Sequence, residues 1–278
     1  MEKLIIKFIV LVLLFTACKS NTKTDSAVIT KSSTQKNKIH KNIHIMAKPD
    51  SIAIDAASTA IIVVDMENDF CTKGGMLDHV GINISMIQKA IAPMTKVLAA
   101  ARLTGINIIY LKMGYHEDLS DLGGDESPNR IRQFYVGDTI TAPNGSKSRI
   151  LIRDTWGTDI VPELKPQPDD IVMYKTRFSG FYNTALDSVL THLGKKYLIL
   201  IGCTTSICVE STFRDAIFRD YSPVVLEDCT AEPLGYNLQR SNHEASLLIF
   251  QNMGWVSTSD EFIKAVIVQP IDNGKKLQ

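Results

Sequence analysis

Three side chains in this sequence have the types that covalent acyl transfer needs: a carboxylate, an ammonium and a thiol. Each follows an apolar run: Asp65 follows 61–64, Lys175 follows 171–174 and Cys208 follows 197–201 by a short loop. The carboxylate can take the thiol proton, the ammonium can hold the resulting anion, and the sulfur can attack a carbonyl. The competing interpretation is a structural Asp65–Lys175 ion pair with Cys208 a buried residue. We favour catalysis, because reactive groups that converge on a crevice are typical of active sites.

The thiol lies in the turn Gly202–Glu210, which reads GCTTSICVE between an apolar run and an amphipathic segment. Cys208 is thereby placed where a strand gives way to a helix, beside unpaired backbone N–H groups at the positive end of the helix dipole. Such a position favours the thiolate and offers hydrogen-bond donors to an oxyanion. The turn therefore predicts a nucleophile.

The elements that must position these groups follow from the alternation of short apolar runs with longer amphipathic stretches. The predicted strands are 60–64, 106–111, 171–174, 197–201 and 223–226, and the predicted helices are 84–101 (stopped by Gly105), 186–193, 209–217, 237–253 and one opened by a capping box at 258–261. This pattern predicts an α/β fold, a three-layer α/β/α sandwich around a mainly parallel sheet of about six strands. The carboxyl ends of parallel strands share one edge, so the three reactive groups should meet there.

A long segment, 113–163, has few apolar runs and many turn residues. Loops of this length inside a compact domain are usually functional. We expect it to cover a pocket.

The two ends of the chain differ in composition from the middle. Residues 1–18 have two lysines, then an apolar run too short to cross a bilayer, and end at Cys18 in a pattern that resembles a bacterial lipoprotein processing site. Residues 19–50 are polar, which predicts a flexible tether. We expect one catalytic domain over residues 51–270 and a short tail over 271–278. We therefore expect an exported protein, lipid-anchored through Cys18 to the periplasmic or cell-surface side of a bacterial membrane.

Charge and cysteine content narrow the choice of partners. Lys+Arg and Asp+Glu are equal at 30 each, so nothing favours nucleic acid as a partner and a small molecule fits better. Four cysteines remain after Cys18, and an exported chain could pair them. Their irregular spacing in apolar surroundings favours one nucleophile and three buried thiols. Redox chemistry through Cys203 and Cys208 would lack the usual Cys-x-x-Cys spacing.

Three motifs resemble those of the isochorismatase-like cysteine hydrolases, which include nicotinamidases, N-carbamoylsarcosine amidohydrolase, biuret hydrolase and ureidoacrylate amidohydrolases. The motifs are VDMENDF at 64–70, KTRFSGF at 175–181 and GCTTSICVEST at 202–212, and the resemblance spans about residues 56 to 267. Four further pieces are similar to the ureidoacrylate amidohydrolases: 74–78, 127–129, 181–187 and 254–256. The resemblance implies a triad of Asp65, Lys175 and Cys208, a cis peptide between Cys203 and Thr204, and an oxyanion hole formed by the N–H groups of Thr204 and Cys208.

The expected pocket departs from that branch of the family. Lys112–Tyr115 stands where those relatives have Gln-Asn-Gly-Trp, and Phe178 stands where they tend to have tyrosine. Candidate substrate-binding residues are Asn68, Phe70, Tyr115 and Phe178, with core packing as the alternative for the three aromatic side chains. Because fewer polar groups would face a ureido substrate, the substrate stays open.

The Asp-x-His pair that nicotinamidases carry after the second strand is missing, so we expect neither a metal nor another cofactor. The leading hypothesis is a cysteine amidohydrolase that cleaves a C–N bond of a small ureido, carbamoyl or amide substrate through a thioester-type intermediate. The alternatives are a lipid-anchored small-molecule-binding protein whose triad does not turn over, and an amidase of the nicotinamidase type without metal. A homo-oligomer is also expected.

Overall fold

The computed structural model of the protein describes residues 42–133, 135–235, 238–239 and 241–267. The strands are β1 (Ile43–Ile45), β2 (Ile52–Ile54), β3 (Thr59–Val64), β4 (Asn107–Met113), β5 (Thr139–Thr141), β6 (Lys147–Arg149), β7 (Ile171–Lys175), β8 (Tyr197–Cys203), β9 (Ser222–Ala231) and β10 (Trp255–Ser257). The α-helices are α1 (Asn68–Cys71), α2 (Met76–His79), α3 (Ser85–Thr104), α4 (Pro128–Arg132), α5 (Leu186–His192), α6 (Glu210–Ile217), α7 (Asn242–Met253) and α8 (Ser259–Ile267). Short 3₁₀ turns cover Ala56–Ser58, Trp156–Thr158 and Pro162–Leu164, and a π-helical turn covers Thr205–Val209.

Six of these strands form one sheet in the order β10-β9-β8-β3-β4-β7, and each neighbouring pair is parallel. The predicted fold class is confirmed. Five of the six strands are among those predicted. The sequence analysis missed β10, because three residues are too few to show a period.

The sheet is covered on both faces because its strands are apolar on both faces. All six residues of β3 are buried. Ile61 and Val63 pack in a core with α3 and α8, whereas Ile62 and Val64 pack in a second core with α5, α6 and α7. These two cores make the three layers.

The order of the strands places a crevice at the site of the predicted chemistry. From β3 the chain adds β4 and then β7 on one side, and it then returns to the other side of β3 to add β8, β9 and β10. Ligands of open parallel sheets bind beyond the carboxyl ends of the strands where the order reverses, which here is between β3 and β8. The strand ends at Asp65 and at the turn before Cys208 both lie there.

The tether predicted over 19–50 ends too late, which is a correction to the predicted domain boundary. Ile43 and Ile45 are buried, and β1 pairs with β2 in an antiparallel hairpin. The backbone of Lys48 exchanges two hydrogen bonds with Val256 on β10, at 2.8 and 3.0 Å. Burial of the two isoleucines offsets the entropy of ordering this short segment. The folded part therefore begins by residue 43 and not at 51.

The predicted leader 1–18, Cys18, most of the tether and the tail 271–278 lie outside the described residues. Within the described part of the chain, no helix is long and apolar enough to cross a membrane.

Two other expectations need adjustment. The segment 113–163 is more ordered than predicted, since it contains α4 and the β5–β6 hairpin. The helix predicted from residue 237 begins at Asn242, where Ser241 and Glu244 form a capping box. Gly105 ends α3 as predicted, with φ 72° in the left-handed region.

Candidate active site

A buried ion pair joins the ends of two strands of the sheet. Lys175 Nζ lies 2.7 Å from Asp65 Oδ2, and both side chains are almost completely shielded from solvent. Asp65 has φ 52°, a left-handed conformation that Asp tolerates better than most residues, and its N–H still donates to Leu111 on β4 at 2.9 Å. The chain therefore turns out of β3 at Asp65 and directs the carboxylate toward Lys175 at the end of β7.

The thiol of Cys208 completes this group. Its side chain lies close enough to Asp65 and Lys175 to interact electrostatically with both. The structure thus brings together the three residues that the sequence analysis selected, although they lie on β3, β7 and the turn after β8.

The turn that carries the thiol has a close-packed backbone. Gly202 has φ 127°, and a Cβ there would lie 2.1 Å from the carbonyl oxygen of Val64, so only glycine lets β8 approach β3 this closely. The Cys203–Thr204 peptide bond is cis, as the resemblance implied. Thr204 is the extended residue before the π-helical turn in which Cys208 lies. Whether the N–H groups of Thr204 and Cys208 form the oxyanion hole stays a prediction.

Burial controls the protonation of the three groups. It raises the pKa of Asp65, against the opposing charge of Lys175. Burial is the largest single effect on the pKa of Lys175 and would lower it, but the nearby negative charges, that of Asp65 first, and the hydrogen bond to Asp65 together raise that pKa. Burial also raises the pKa of the Cys208 thiol, and Lys175 opposes the shift only in part. Burial therefore opposes the thiolate that the start of the helix was expected to favour.

A second carboxyl, Glu67, lies in the same buried region, and the sequence analysis did not select it. It is fully buried, and neither of its oxygens has a hydrogen-bond partner among the described residues. Burial, together with the nearby charges of Asp65 and Asp69, raises its pKa well above the ordinary value of 4.5. These effects favour the neutral, protonated form of Glu67.

Asp69 differs from Glu67, although it is also buried. Its carboxylate accepts hydrogen bonds from Leu151 N–H at 2.7 Å and Met76 N–H at 3.2 Å. Burial raises its pKa to about 6, and these two donors oppose the shift. Asp69 therefore fastens the segment 113–163 to α1 and α2. The acidic residues at 65, 67 and 69 after an apolar run were the signal that could have indicated this cluster.

The four candidate substrate-binding residues have different surroundings. Tyr115 is fully buried and interacts electrostatically with Lys175 and Cys208, and burial raises its pKa to about 12. Phe70 packs in the core on the α3 side of the sheet, and Phe178 is exposed over 40% of its surface. Asn68 uses its amide inside the protein, where it donates to the carbonyl of Trp156 at 2.8 Å. Of the four, Tyr115 is the residue that the structure ties to the triad.

Part of the segment 113–163 lies against residues beside the triad. Asn129 Nδ2 donates to the Tyr115 hydroxyl at 3.1 Å, and Arg177 donates to the carbonyl of Asp121 at 3.2 Å. The segment also borders a groove of about 1490 Å³ whose lining includes Asn68 and Lys112. None of the triad residues lines this groove.

The other cysteines in the described part of the chain are free and buried: Cys71, Cys203 and Cys229. Cys203 donates to the carbonyl of Asp65 at 3.3 Å, and Cys71 is its hydrogen-bonding neighbour. In the described part of the chain, no cluster of three or more His, Cys, Asp or Glu side chains is arranged to hold a metal ion.

The fold and the site define a hydrolase with a parallel α/β/α sandwich, in which an acid, a lysine and a thiol meet at the switch point of the sheet. The chain belongs to the isochorismatase family, since the family's Isochorismatase domain matches residues 59–261. It is 39% identical over 220 residues to the ureidoacrylate amidohydrolase RutB of Caulobacter segnis. The aligned residues cover 79% of this chain and 90% of that protein.

Solved structures agree with this assignment. A cysteine hydrolase from Pseudomonas syringae pv. phaseolicola is 31% identical, with a TM-score of 0.64 over 77% of this chain and 94% of that one. N-carbamoylsarcosine amidase from Thermoplasma acidophilum is 25% identical, with a TM-score of 0.54 over 73% and 97%. The resemblance seen in the motifs is confirmed at the level of the family.

Proposed function

We propose that this protein is a cysteine-dependent amidohydrolase that cleaves a C–N bond of a small ureido, carbamoyl or amide substrate. The observation that carries the proposal is the buried Asp65–Lys175 pair, 2.7 Å apart, with the Cys208 thiol close enough to interact electrostatically with both. A carboxylate next to a thiol can act as its general base, and a lysine beside them stabilises the negative charge that moves between them.

The first half of the reaction forms a covalent intermediate. Asp65 takes the proton of Cys208 as the sulfur bonds to the substrate carbonyl carbon, and the carbonyl oxygen becomes an oxyanion. The N–H groups of Thr204 and Cys208 are the proposed donors to that oxyanion, and removing one such donor typically costs about a hundredfold or more in rate. The C–N bond then breaks as Asp65 gives its proton to the departing nitrogen. The products are ammonia or an amine, and a thioester or carbamoyl-thiol on Cys208.

The second half of the reaction hydrolyses the covalent intermediate and restores the free Cys208 thiol. A water molecule gives a proton to Asp65 as its oxygen attacks the carbonyl carbon of the intermediate. The C–S bond breaks and the Cys208 sulfur regains the proton from Asp65. Lys175 keeps one positive charge beside the site throughout, since Asp65 raises its pKa.

Relatives support a ureido or carbamoyl substrate. One curated relative is named a ureidoacrylate amidohydrolase and one structural neighbour an N-carbamoylsarcosine amidase. Both names describe C–N bonds next to a urea-type carbonyl. Tyr115, the buried residue tied to the triad, is the proposed contact to the substrate. The contributions of Asn68, Phe70 and Phe178 stay predictions.

A substrate panel tests the proposal. The wild-type protein, Cys208→Ala and the matched control Cys229→Ala are incubated with 3-ureidoacrylate, N-carbamoylsarcosine, biuret and nicotinamide, and released ammonia is measured. We expect turnover of a ureido or carbamoyl compound by the wild type and Cys229→Ala, and a loss of about a thousandfold or more in Cys208→Ala. Absence of turnover by folded wild-type protein across the panel would favour a binding protein instead.

We also propose export and lipidation at Cys18, which rests on the sequence of residues 1–18 alone. Radiolabelled palmitate should be incorporated into the full chain expressed in a bacterium and not into Cys18→Ala. Label on both proteins, or on neither, would contradict the anchor. The expected homo-oligomer is checked by light scattering on the same protein.

A further inference from the structure

The turn that carries Cys208, residues Thr205–Val209, is held by a carboxylate that directly follows strand β9. Glu232, the residue after β9, is fully buried. Its Oε2 accepts hydrogen bonds from Ser206 N–H at 3.0 Å and Ser206 Oγ at 2.6 Å, and its Oε1 accepts one from Leu234 N–H at 2.9 Å. Ser206 is two residues from both Thr204 and Cys208, so this carboxylate holds the middle of the turn.

An irregularity in the sheet brings Glu232 to this place. Leu200 pairs with Val225, but Gly202 pairs with Thr230, so β9 advances five residues while β8 advances two. Extra residues of this kind re-aim side chains and occur next to active sites. Here they carry the end of β9 past the end of β8, and the residue that follows the pair Cys203–Ala231 is Glu232.

The turn has no cap of its own. Thr204 precedes the π-helical turn and makes no side-chain capping bond. The acceptor for the first-turn N–H of Ser206 is supplied by Glu232 instead. The side chain before it is also held, since Thr205 Oγ1 lies 2.9 Å from His243 Nδ1 on α7. Two successive residues are therefore attached to two different elements.

We propose that Glu232 is a positioning residue for the hydrolase reaction, which acts by fixing the turn that carries Cys208 through its two hydrogen bonds to Ser206. This inference rests on the proposed function for its catalytic meaning. Its structural part, that Glu232 keeps Cys208 in place against Asp65 and Lys175, does not need turnover to be tested.

The chain contains a matched control on β9, the strand that ends just before Glu232. Asp228 of β9 accepts hydrogen bonds from both N–H and Oγ of Ser259, at the start of α8. The bonds are of the same kind as those from Ser206 to Glu232, but they hold a helix that carries no part of the triad. Asp228→Ala therefore removes a similar pair of hydrogen bonds, made by a more exposed carboxylate, away from the nucleophile.

The substrate-independent test is site-resolved alkylation with iodoacetamide, read by peptide mass spectrometry at Cys71, Cys208 and Cys229. In Glu232→Ala, Ser206 loses a buried charge-assisted acceptor, so we expect alkylation of Cys208 to accelerate about tenfold, with Cys71 and Cys229 unchanged. Asp228→Ala should leave Cys208 as slow as in the wild type. An unchanged Cys208 rate, or equal acceleration at all three cysteines, would overturn the proposal.

The kinetic test uses the substrate that the wild type turns over. We expect Glu232→Ala to lower kcat about tenfold or more with KM within about twofold, because the turn and not the substrate pocket is loosened. Glu232→Gln keeps an oxygen toward Ser206 and should recover most of the rate, whereas equal losses in both variants would contradict the role of the Ser206 bonds. If the wild type shows no turnover, the proposed function fails and the alkylation result still decides the position of the turn.

Discussion

The two ends of β7 carry ion pairs of nearly equal length and different surroundings. At its amino end, Arg102 Nη2 lies 2.6 Å from Asp170 Oδ2, with the arginine partly exposed. Arg102 also contacts the Tyr110 hydroxyl at 3.3 Å, and Asp170 accepts Gln167 N–H at 2.8 Å. Further polar groups contact both members of this pair, and the arginine reaches the surface, as expected for a structural contact.

At the carboxyl end, Lys175 and Asp65 are buried, with the Cys208 thiol and the unpartnered acid Glu67 nearby. A buried pair gains little stability, because desolvation of both ions offsets their attraction. The same low dielectric strengthens the electrostatic interactions of each charge that a reaction creates. The difference between the two ends therefore supports the proposal that the buried pair takes part in the chemistry, whereas the pair at the amino end holds the fold.

Removing the cation at the buried end should have the largest effect. Lys175→Met leaves Asp65 buried without its counter-ion, so we expect a loss of about 3–5 kcal/mol in the free energy of unfolding and at least about a thousandfold in kcat/KM. Urea denaturation and ammonia release measure the two effects. Stability within about 1 kcal/mol of the wild type would contradict the inferred burial.

Removing only the charge of the acid separates chemistry from folding. Asp65→Asn keeps the shape of the side chain but cannot take the thiol proton, so we expect kcat to fall about 10²- to 10⁴-fold. The rate of a single turnover checks this. A loss below about tenfold would show that another group accepts the proton.

Glu67→Gln tests how the buried carboxyl of Glu67 contributes to the pH dependence of the free energy of unfolding. Because burial and neighbouring carboxyls raise the pKa of Glu67 above 4.5 in the folded chain, the folded chain keeps a proton that the unfolded chain loses as pH rises past that value. The free energy of unfolding therefore falls with rising pH until the folded-state pKa is passed. Glu67→Gln should make this fall shallower, as measured by urea denaturation between about pH 5 and about pH 8. Parallel curves for the two proteins would contradict a neutral, buried Glu67.

The smallest effect is expected at the partly exposed end. Arg102→Met is the matched control for Lys175→Met, since it removes the cation at the opposite end of β7. We expect a cost of about 1 kcal/mol, because water reaches the pair, and an unchanged kcat/KM. A loss of activity comparable with that of Lys175→Met would remove the distinction between the two ends.

The clustering of Asp65, Lys175 and Cys208 could be predicted from the sequence because each lies at or shortly beyond the end of a strand. In a parallel sheet, the end of a strand fixes where the next residues lie, so apolar runs alone located Asp65, Lys175 and Cys208. Membership in the isochorismatase family and the cis peptide at Cys203–Thr204 followed from local motifs in the same way.

Residues whose position depends on irregular or distant structure could not be found. Glu232 reaches the turn only because β9 gains extra residues opposite β8, which no periodicity shows. Glu67 resembles any acidic residue after a strand until the burial of both oxygens is seen. The hairpin β1–β2 lies in a polar stretch and is stabilised by a few isoleucines against the rest of the chain. Ser241 begins α7 with a capping box, but the weak amphipathic pattern around it concealed the boundary.

The most direct test of the account is to quench the wild-type protein in acid during steady-state turnover of its best ureido or carbamoyl substrate and to weigh the peptide that contains Cys208. The account predicts an added mass equal to the acyl or carbamoyl group on that peptide, lost when substrate is exhausted and absent in Cys208→Ala, which should not turn over. Turnover with an unmodified Cys208 peptide, together with an undiminished rate in Cys208→Ala, would contradict it.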